Sequence, residues 1–492
     1  MTFLPRSFPP FSGPLIAGRL SQKIGLAAGL GVFVALMAMA PPEGLSPRGW
    51  AVLCVGVLMT VLWFTEALPL TLTGVVPFIA LPLLGVNPAD KVAASYFTPV
   101  LFLILGGFFM ALAMEKWGMH RRVAMAALNR AGGSARSILL AVMATTAVLS
   151  MFVSNSAAML AMLPVALAII AATGRPGGDE PEQRRFGQAM VLGIAYSATL
   201  GGFGTIVGSP ANAASVAIFQ KIYGTEISFN LWAAFGLPLV LLAVPLAWLL
   251  LSRVVFPFRM AALDRAAVRS AIGDAGRWTG TDVRLLFVLG AALAAWIGMP
   301  LVRLALPAMS DAHVAILAAM ALFLIPAGGG RSEALLQWED TKAMPWHLLI
   351  LLGGGLALAD AINSTDLSRW LQLHFAGVSH LSPWVQLALL AGATLFVTEF
   401  VTNTATVSAF LPATVALAGS GQIDPVVLGM VTAFAANWGF MMPAGTPTLA
   451  LAYGTGRLSV PQMVYAGALM DIGGVVLILA VVLGVGGLVL GT

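Results

Sequence analysis

Long apolar runs, separated by short polar or glycine-rich segments, make up most of this 492-residue chain. A helix needs about 20 apolar residues to cross the hydrocarbon core of a bilayer. Runs of about this kind, such as residues 24–40, 99–114 and 231–251, therefore predict transmembrane helices. Two further apolar stretches are broken in the middle, at residues 154–156 and 402–404, and we expect each to form a re-entrant hairpin of two half-length helices.

The composition supports a membrane protein, because 59% of the residues are hydrophobic and only 9% are charged. An ordinary soluble domain carries about 25% charged residues. The single cysteine, Cys54, excludes an intrachain disulfide and a CxxC metal site. We predict an all-α polytopic membrane protein with about 11 transmembrane helices, embedded in the lipid bilayer, plus re-entrant hairpins over residues 137–173 and 384–418.

The two broken stretches are copies of one pattern. In each, a hydroxyl residue lies five positions before an asparagine, at Ser150 and Asn155 in the first copy and at Thr398 and Asn403 in the second. The asparagines are 403 − 155 = 248 residues apart, and a proline follows each of them by nine. The glycine pairs near residues 106 and 353 have almost the same separation. These offsets indicate an internal duplication.

Lys and Arg residues gather in two loops, near residues 116–136 and 253–284. The positive-inside rule puts both loops in the cytoplasm. The first hairpin then enters the membrane from the cytoplasm and the second from outside, so the two repeats have inverted topology. Inverted repeats with broken helices are typical of secondary transporters. Because the Lys and Arg residues cluster in these loops, membrane topology explains the net charge of +5, and we predict no nucleic acid as a partner.

This interpretation divides the chain into four parts and orients it in the membrane. We expect a cytoplasmic N-terminus in an inner (plasma) membrane of bacterial type. The parts are a tail with the first transmembrane helix over residues 1–45, a first inverted repeat over residues 46–253, a cytoplasmic linker over residues 254–284, and a second inverted repeat over residues 285–492.

Breaking a helix inside the bilayer leaves carbonyl oxygens unpaired at one end and amide N–H groups unpaired at the other. Ser150 and Ser154 are four residues apart, so we expect them on one helix face, where their hydroxyls join freed carbonyls around a cation such as Na⁺. Thr398 and Thr402 repeat the arrangement. The interrupted spans at Gly208 and Gly445 would complete the cation site of the first and the second half, respectively.

The opposite side of each break favours an anion. Ser156 and Thr404 begin half-length helices, whose N-terminal partial positive charge attracts a carboxylate. Asn155 and Asn403 offer a carbonyl oxygen to the cation and an NH₂ group to the substrate. One triplet for each carboxylate predicts a dianion. No Lys or Arg lies in the site segments, so cations and helix ends would balance the substrate's charge.

Three acidic residues lie in or beside apolar runs. Glu66 lies at a span boundary, which is consistent with either a structural or a gating role. Glu399 adjoins the second triplet, but Met151 occupies the matching position in the first, so Glu399 is not part of the symmetric site. Asp471 lies within the last apolar run. Such acids are candidates for a functional role because charge in a membrane is costly.

With these motifs identified, the chain resembles the divalent anion:sodium symporter family, which carries di- and tricarboxylates and sulfate. The similarity extends over nearly the whole chain and is most specific at residues 63–70, residues 101–120, the first hairpin and residues 398–406. The resemblance implies scaffold and transport domains, a homodimer, and an elevator motion of the transport domain.

The resemblance also implies a set of ligands at each position of the site. The first sodium site comprises Ser150, Ser154, Asn155 and Gly208. The second sodium site comprises Thr398, Val401, Asn403 and Gly445. The substrate ligands are Asn155, Ser156, Asn403, Thr404, Thr446 and Pro447. One departure concerns the family's Thr-Pro-Pro-Asn segment, which is present as residues 209–212 but lacks its asparagine in the second half, where Leu449 stands.

The sequence favours a sodium-coupled importer of C4-dicarboxylates such as succinate, malate or fumarate. A sodium-independent dicarboxylate exchanger, a tricarboxylate or sulfate carrier, and an arsenite- or proton-coupled carrier of related topology remain alternatives. An intramembrane enzyme is disfavoured because neither HExxH nor GxGD occurs. A channel is disfavoured because no ring of charged residues is apparent.

Overall fold

The structure is a computed structural model that describes residues 20–119, 122, 123, 126, 133–173, 180–260, 278–328, 331–374, 381–414, 418, 423–443 and 445–490. Residues 1–19, which form most of the predicted N-terminal tail, lie outside the described residues. So does most of the expected cytoplasmic linker, at residues 261–277. The boundaries expected for the tail and the linker therefore stay predictions.

Helices dominate the described residues. In the first half of the chain they are α1 (Leu20–Ala38), α2 (Pro47–Thr65), α3 (Leu70–Leu83), α4 (Ala89–Ala94), α5 (Pro99–Lys116), α6 (Ala135–Ser150), α7 (Asn155–Thr173), α8 (Glu180–Gly202), α9 (Pro210–Tyr223) and α10 (Phe229–Leu249). A 3₁₀ turn at Ile206–Gly208 lies between α8 and α9, and a π-helical segment at Leu250–Val255 follows α10.

The second half continues this pattern and adds one small sheet. Its elements are α11 (Gly280–Ile297), α12 (Met299–Ala305), α13 (Asp311–Leu324), the antiparallel strands β1 (Pro326–Gly328) and β2 (Arg331–Ala334), a 3₁₀ turn (Trp338–Ala343), α14 (Trp346–Asn363), α15 (Leu367–His374), α16 (Pro383–Thr398), α17 (Asn403–Ala413), α18 (Pro425–Ala436), α19 (Pro447–Gly454) and α20 (Val460–Val489).

Seven helices in the described part of the chain are long and apolar enough to span a membrane, and six more apolar helices have 10–17 residues. The prediction of an all-α polytopic membrane fold is confirmed. The expected number of about 11 spans stays a prediction, because helix length alone does not separate a short span from half of a hairpin.

The chain forms two compact units, residues 1–96 with 350–370, and residues 97–349 with 371–492. In the first unit α3 and α14 pack through glycine. Gly74 lies against the backbone of Leu351, and Gly354 lies against the backbone of Gly74. The Tyr96 hydroxyl donates to the Gly74 carbonyl oxygen at 2.6 Å. Small residues allow this close approach of helix backbones.

The second unit contains both broken hairpins and both interrupted helices. Helix α6 ends at Ser150 and α7 begins at Asn155, while α16 ends at Thr398 and α17 begins at Asn403. The breaks therefore occur where the polar triplets predicted them. Pro164 and Pro412, the prolines that follow the two asparagines by nine, lie inside α7 and α17. Membrane helices tolerate such prolines because neighbouring groups satisfy the freed carbonyl.

The interrupted helices pack across the two halves. Helix α8 gives way to α9 after a break at residues 203–209, and α18 gives way to α19 after a break at residues 437–446. Proline is the first residue of both α9 and α19, a position where its missing N–H is harmless. Helix α9 packs against α17 of the second hairpin, and α19 packs against α7 of the first.

Candidate functional site

Oxygen atoms converge at the end of the first half-helix. The Ser150 hydroxyl donates to the Ala198 carbonyl oxygen at 2.5 Å, and its Oγ lies 2.9 Å from Asn155 Oδ1. The same end of the Asn155 amide lies 3.2 Å from Ala198 O and 3.0 Å from Gly208 O. With its NH₂ group on this side, the amide donates to these oxygens. With its carbonyl oxygen on this side, the cluster requires a cation, since hard cations take oxygen ligands.

The second hairpin repeats this geometry. The Thr398 hydroxyl donates to the Ala436 carbonyl oxygen at 2.5 Å, and its Oγ1 lies 3.1 Å from Asn403 Oδ1. Ser150 and Thr398 are both fully buried. In each half, then, a buried hydroxyl joins the asparagine of the triplet to a carbonyl near the end of the following long helix. The structure brings together the residues that the duplicated pattern singled out.

Both predicted glycines lie beside carbonyl groups of the hairpin breaks. A Cβ atom at position 208 would lie 2.5 Å from the Gly202 carbonyl oxygen and 3.0 Å from that of Ser150. A Cβ atom at position 445 would lie 3.0 Å from the Glu399 carbonyl oxygen and 3.4 Å from that of Thr398. Only a residue without a side chain fits position 208 unchanged.

Ser154 and Thr402 do not share a helix face with Ser150 and Thr398, so this expectation from their spacing is wrong. The half-helices end before they reach Ser154 and Thr402, which are the N-terminal cap positions of α7 and α17. The Ala157 amide donates to Ser154 Oγ at 3.3 Å, as is typical of a serine cap. Thr402 Oγ1 is buried without a hydrogen-bond partner.

The remaining predicted ligands also lie at the breaks. Val401 is in the connection between α16 and α17, and Ser156 and Thr404 are the second residues of α7 and α17. Thr446 caps α19 and its Oγ1 lies 3.1 Å from Thr448 Oγ1. Pro447, the first residue of α19, is exposed.

Two polar contacts that the sequence did not predict cross between the halves. Ser209 Oγ donates to Asn437 Oδ1 at 3.1 Å, and Asn403 Nδ2 donates to the same oxygen at 3.4 Å. In the second of these contacts, Thr199 Oγ1 of the first half lies 2.9 Å from Thr448 Oγ1 of the second half. Thr199 and Asn437 directly follow the two carbonyls bound by the hydroxyls, so they occupy matching positions in the two halves.

The two breaks satisfy their backbone groups by different means. In the first half, Asn212 Nδ2 donates to the carbonyl oxygens of Gly202 (2.6 Å) and Thr205 (2.8 Å). Both its N–H groups are thus used by the backbone. In the second half, Leu449 stands in the place of Asn212, and the Glu399 carboxylate accepts the amides at the break instead. The absence of this asparagine from the second half therefore reflects a different way of satisfying the backbone groups at the break.

The sequence matches a protein family along almost its whole length. Residues 20–490 match the family described as the sodium:sulfate symporter transmembrane region. The chain is 35% identical over 472 residues to the sodium-dependent dicarboxylate transporter SdcS of Staphylococcus saprophyticus, covering 94% of this chain and 91% of that protein. It is 34% identical over 489 residues to SdcS of Staphylococcus aureus, covering 97% and 93%.

A solved structure supports the fold. The crystal structure of the Alcanivorax borkumensis YdaH transporter superposes with a TM-score of 0.56 at 16% sequence identity. The match covers 80% of this chain and 88% of that one. At this identity the similarity concerns the polytopic helical fold alone.

Proposed function

Because this chain belongs to the sodium:sulfate symporter family, we propose that it is a secondary active transporter that imports C4-dicarboxylates together with sodium ions. The observation that carries the proposal is the pair of matching oxygen clusters around Ser150 and Thr398. Both relatives named above are sodium-dependent dicarboxylate transporters. The family resemblance predicted from the sequence is confirmed, as is the interpretation of the chain as a transporter instead of an enzyme.

The sodium ions are cargo in this proposal, and each hairpin binds one. Ser150, Ser154, Asn155 and Gly208 hold the first ion, and Thr398, Val401, Asn403 and Gly445 hold the second. Hydroxyl, amide and backbone oxygens suit a hard monovalent cation, and they lie where broken helices leave carbonyl groups exposed.

The dicarboxylate binds on the other side of the two asparagines. Its carboxylates face the N-terminal ends of α7 and α17, where unpaired N–H groups favour negative charge. Ser156, Thr404, Thr446 and Pro447 complete this substrate site with Asn155 and Asn403. The two triplets provide one binding position for each carboxylate, which favours a dianion of four-carbon length over a monoanion.

Coupling follows from the charges. Without sodium, a dianion would meet carbonyl dipoles and no Lys or Arg, since the site segments contain neither. Without the dianion, two sodium ions in a medium of low polarity would repel each other. Each ligand therefore lowers the free energy of binding of the other. We further propose that the chain works as a homodimer and carries its cargo by an elevator motion.

The test is uptake of labelled succinate into proteoliposomes under an inward sodium gradient, with potassium as the control. Uptake that needs sodium and no internal substrate supports the proposal. Uptake that ignores sodium but needs internal dicarboxylate would make the chain an exchanger. Competition by unlabelled citrate and sulfate separates a C4-dicarboxylate carrier from a tricarboxylate or sulfate carrier.

The site assignment has its own test. Asn155→Ala and Asn403→Ala should each reduce sodium-driven uptake by about 10- to 100-fold, since each loses hydrogen bonds to charged cargo worth roughly 1.5–3 kcal/mol. The control is Asn230→Ala, because Asn230 donates to the carbonyl oxygen of Ile297 at the end of α11, which belongs to neither hairpin. Normal uptake by both site variants, with folding verified by size-exclusion chromatography, would contradict the assignment.

A further inference from the structure

A buried asparagine links the interrupted helix of the first half to the second hairpin. Asn437 directly follows α18 and is 1% exposed. Its Nδ2 donates to the carbonyl oxygen of Ala433, one helical turn earlier, at 2.8 Å. A carbonyl oxygen only accepts hydrogen bonds, so this contact fixes which way round the Asn437 amide lies. Its Oδ1 atom is thereby left to accept hydrogen bonds from other segments.

Two donors from different halves of the chain meet at this oxygen. Ser209 Oγ, from the break between α8 and α9, donates to Asn437 Oδ1 at 3.1 Å. Asn403 Nδ2, from the first residue of α17, donates to the same atom at 3.4 Å. This second contact turns the NH₂ group of Asn403 toward Asn437. The carbonyl oxygen of Asn403 is then the atom that lies beside Thr398.

This orientation leaves two oxygens facing each other at the second sodium site. Asn403 Oδ1 lies 3.1 Å from Thr398 Oγ1. A threonine hydroxyl has one hydrogen, and that of Thr398 is donated to the Ala436 carbonyl oxygen at 2.5 Å. The two oxygens therefore meet with lone pairs on both sides and no proton between them. A cation removes this repulsion, so the second site is prepared for sodium before the ion arrives.

Thr199 occupies the position in the first half that matches Asn437. Its hydroxyl lies 2.9 Å from Thr448 Oγ1 and 3.3 Å from the carbonyl oxygen of Ala195. Threonine has no amide, and its short side chain is engaged by these two groups. The orientation of the Asn155 amide is therefore decided by the oxygens of the first sodium site itself.

Those oxygens take the amide hydrogens of Asn155. The amide satisfies both of its ends when its NH₂ group faces Ser150 Oγ at 2.9 Å and the carbonyl oxygens of Ala198 at 3.2 Å and Gly208 at 3.0 Å. A cation at this site would use the same oxygens. Sodium must therefore turn the amide over and replace its hydrogen bonds before Asn155 becomes a ligand. The first site starts from a satisfied state and the second from an unsatisfied one.

We propose that Asn437 is a positioning residue for sodium binding. It holds the carbonyl oxygen of Asn403 toward the second sodium site, and as a result this site binds sodium more tightly than the first. A ligand that is already in place avoids the cost of rearrangement when the ion binds. The inference rests on the proposed sodium-coupled function and adds an order to it, because the tighter site fills first as the sodium concentration rises.

The test measures sodium binding to the purified protein without substrate. Sodium replaces choline at constant ionic strength, and the melting temperature is recorded, because a bound ligand stabilises in proportion to ln(1 + [L]/Kd). Asn155→Ala leaves the second site intact, and Asn403→Ala leaves the first site intact. The sodium Kd should be lower in Asn155→Ala than in Asn403→Ala. Equal values, or the reverse order, would overturn the inference.

Asn437→Ala is then added to each of these two variants. Together with Asn155→Ala, it should raise the sodium Kd about fivefold, the factor that corresponds to the loss of one hydrogen bond. Together with Asn403→Ala, it should leave the sodium Kd unchanged, because no amide remains for Asn437 to orient. The same factor in both backgrounds would mean that the effects are independent, and it would overturn the positioning role.

Two further variants separate positioning from folding. The serine of Asn437→Ser can still donate to the carbonyl oxygen one turn earlier, but its side chain is one bond shorter, so it should raise the sodium Kd as Asn437→Ala does. Asn87→Ala removes another buried asparagine, which donates to Ser364 Oγ at 3.2 Å in the first unit. This control should lower the melting temperature and leave the sodium Kd unchanged.

A sodium Kd that rises in Asn87→Ala as well would overturn the role of Asn437, since it would show that the Kd follows overall stability. A wild-type protein that sodium and choline stabilise equally would instead overturn the sodium coupling of the proposed function. The two failures are therefore distinguishable in the same titration.

Discussion

Thr398 and Ser150 each place one hydroxyl between an asparagine amide and a backbone carbonyl. In our proposal, these two hydroxyls bind the sodium ions. The two hydroxyls lie at equivalent distances in the two halves, 2.5 Å from the carbonyl oxygen in both. Individual ligands of this kind contribute little energy each, so the affinity for sodium depends on keeping all of them in place.

Thr398→Ala should raise the sodium concentration for half-maximal uptake by about fivefold, since it removes one hydrogen-bonding group worth about 1 kcal/mol. Thr398→Ser, which retains the hydroxyl, should behave like the wild-type protein. Sodium dependence of succinate uptake at saturating substrate is the measurement. Identical sodium curves for the alanine variant and the wild type would count against the second ion site.

The duplicated triplets identified the hydroxyls and the asparagines from the sequence, but two other polar residues of the site escaped notice. Asn437 and Thr199 stand alone in apolar helices, where a single polar residue carries no pattern. Their roles arise from contacts between segments more than 200 residues apart, which no local spacing encodes. Glu399 was noticed, but its three amide partners depend on how the second break folds.

Broken helices are stable here because glycine lets other backbone groups approach the breaks. Gly208 is the tighter of the two glycines. The sequence predicted the positions of the breaks correctly, because polar triplets and Gly-Pro segments interrupt apolar runs. Pro164 and Pro412 do not break their helices, since tertiary packing holds a membrane helix together around a single proline.

Gly208→Ala should lower the melting temperature and abolish uptake, because a methyl group 2.5 Å from the Gly202 carbonyl oxygen forces the break apart at a cost of about 1–3 kcal/mol. Gly392→Ala is the control, since a Cβ atom there meets nothing within 4 Å in helix α16. Thermal unfolding in detergent and succinate uptake are both measured. Equal melting temperatures for the two variants would argue against the steric requirement.

The N-terminal end of α2 depends on an aspartate from a distant segment. Asp366 accepts hydrogen bonds from the hydroxyl (2.6 Å) and the amide (2.7 Å) of Ser46, and the Ser46 hydroxyl bond is the main cause that lowers the pKa of Asp366. A group whose pKa is lowered by folding stabilises the protein above its unfolded pKa, and this stabilisation is lost as the pH falls through the folded pKa.

Asp366→Asn should therefore melt at a lower temperature than the wild type at neutral pH, and the difference should shrink as the pH falls below about 4. Melting curves of both proteins from neutral to acidic pH provide the measurement. Because the carboxylate lies near the surface, solvent screens it and we expect a small difference. A gap that stays constant into acid would show that the charge of Asp366 does not contribute.

Opposite orientation of the two repeats is the main prediction about the arrangement of the chain in the membrane. It rests on the distribution of Lys and Arg, and helix packing alone does not test it. Cys54 is fully buried and is the single cysteine of the sequence, so Cys54→Ser provides a background for labelling. Ser134 and Ser382 precede the first helices of the two hairpins, and both are exposed.

In that background, Ser382→Cys should react with a membrane-impermeant thiol reagent added to intact cells, and Ser134→Cys should react only after the cells are permeabilised. The two variants act as controls for each other, because their positions in the repeats match. Labelling of both from the same side would contradict the inverted topology.

The crossed contacts of Ser209 with Asn437 and of Thr199 with Thr448 have a consequence for the ancestry of the chain. Each half supplies a polar group that completes the other half, so neither could have assembled this site alone. With the inverted topology predicted from the sequence, a half-length ancestor with the same contacts would have paired two copies of itself in opposite orientations. Gene fusion would then have freed each copy to diverge, as at Leu449, which stands in the place of Asn212.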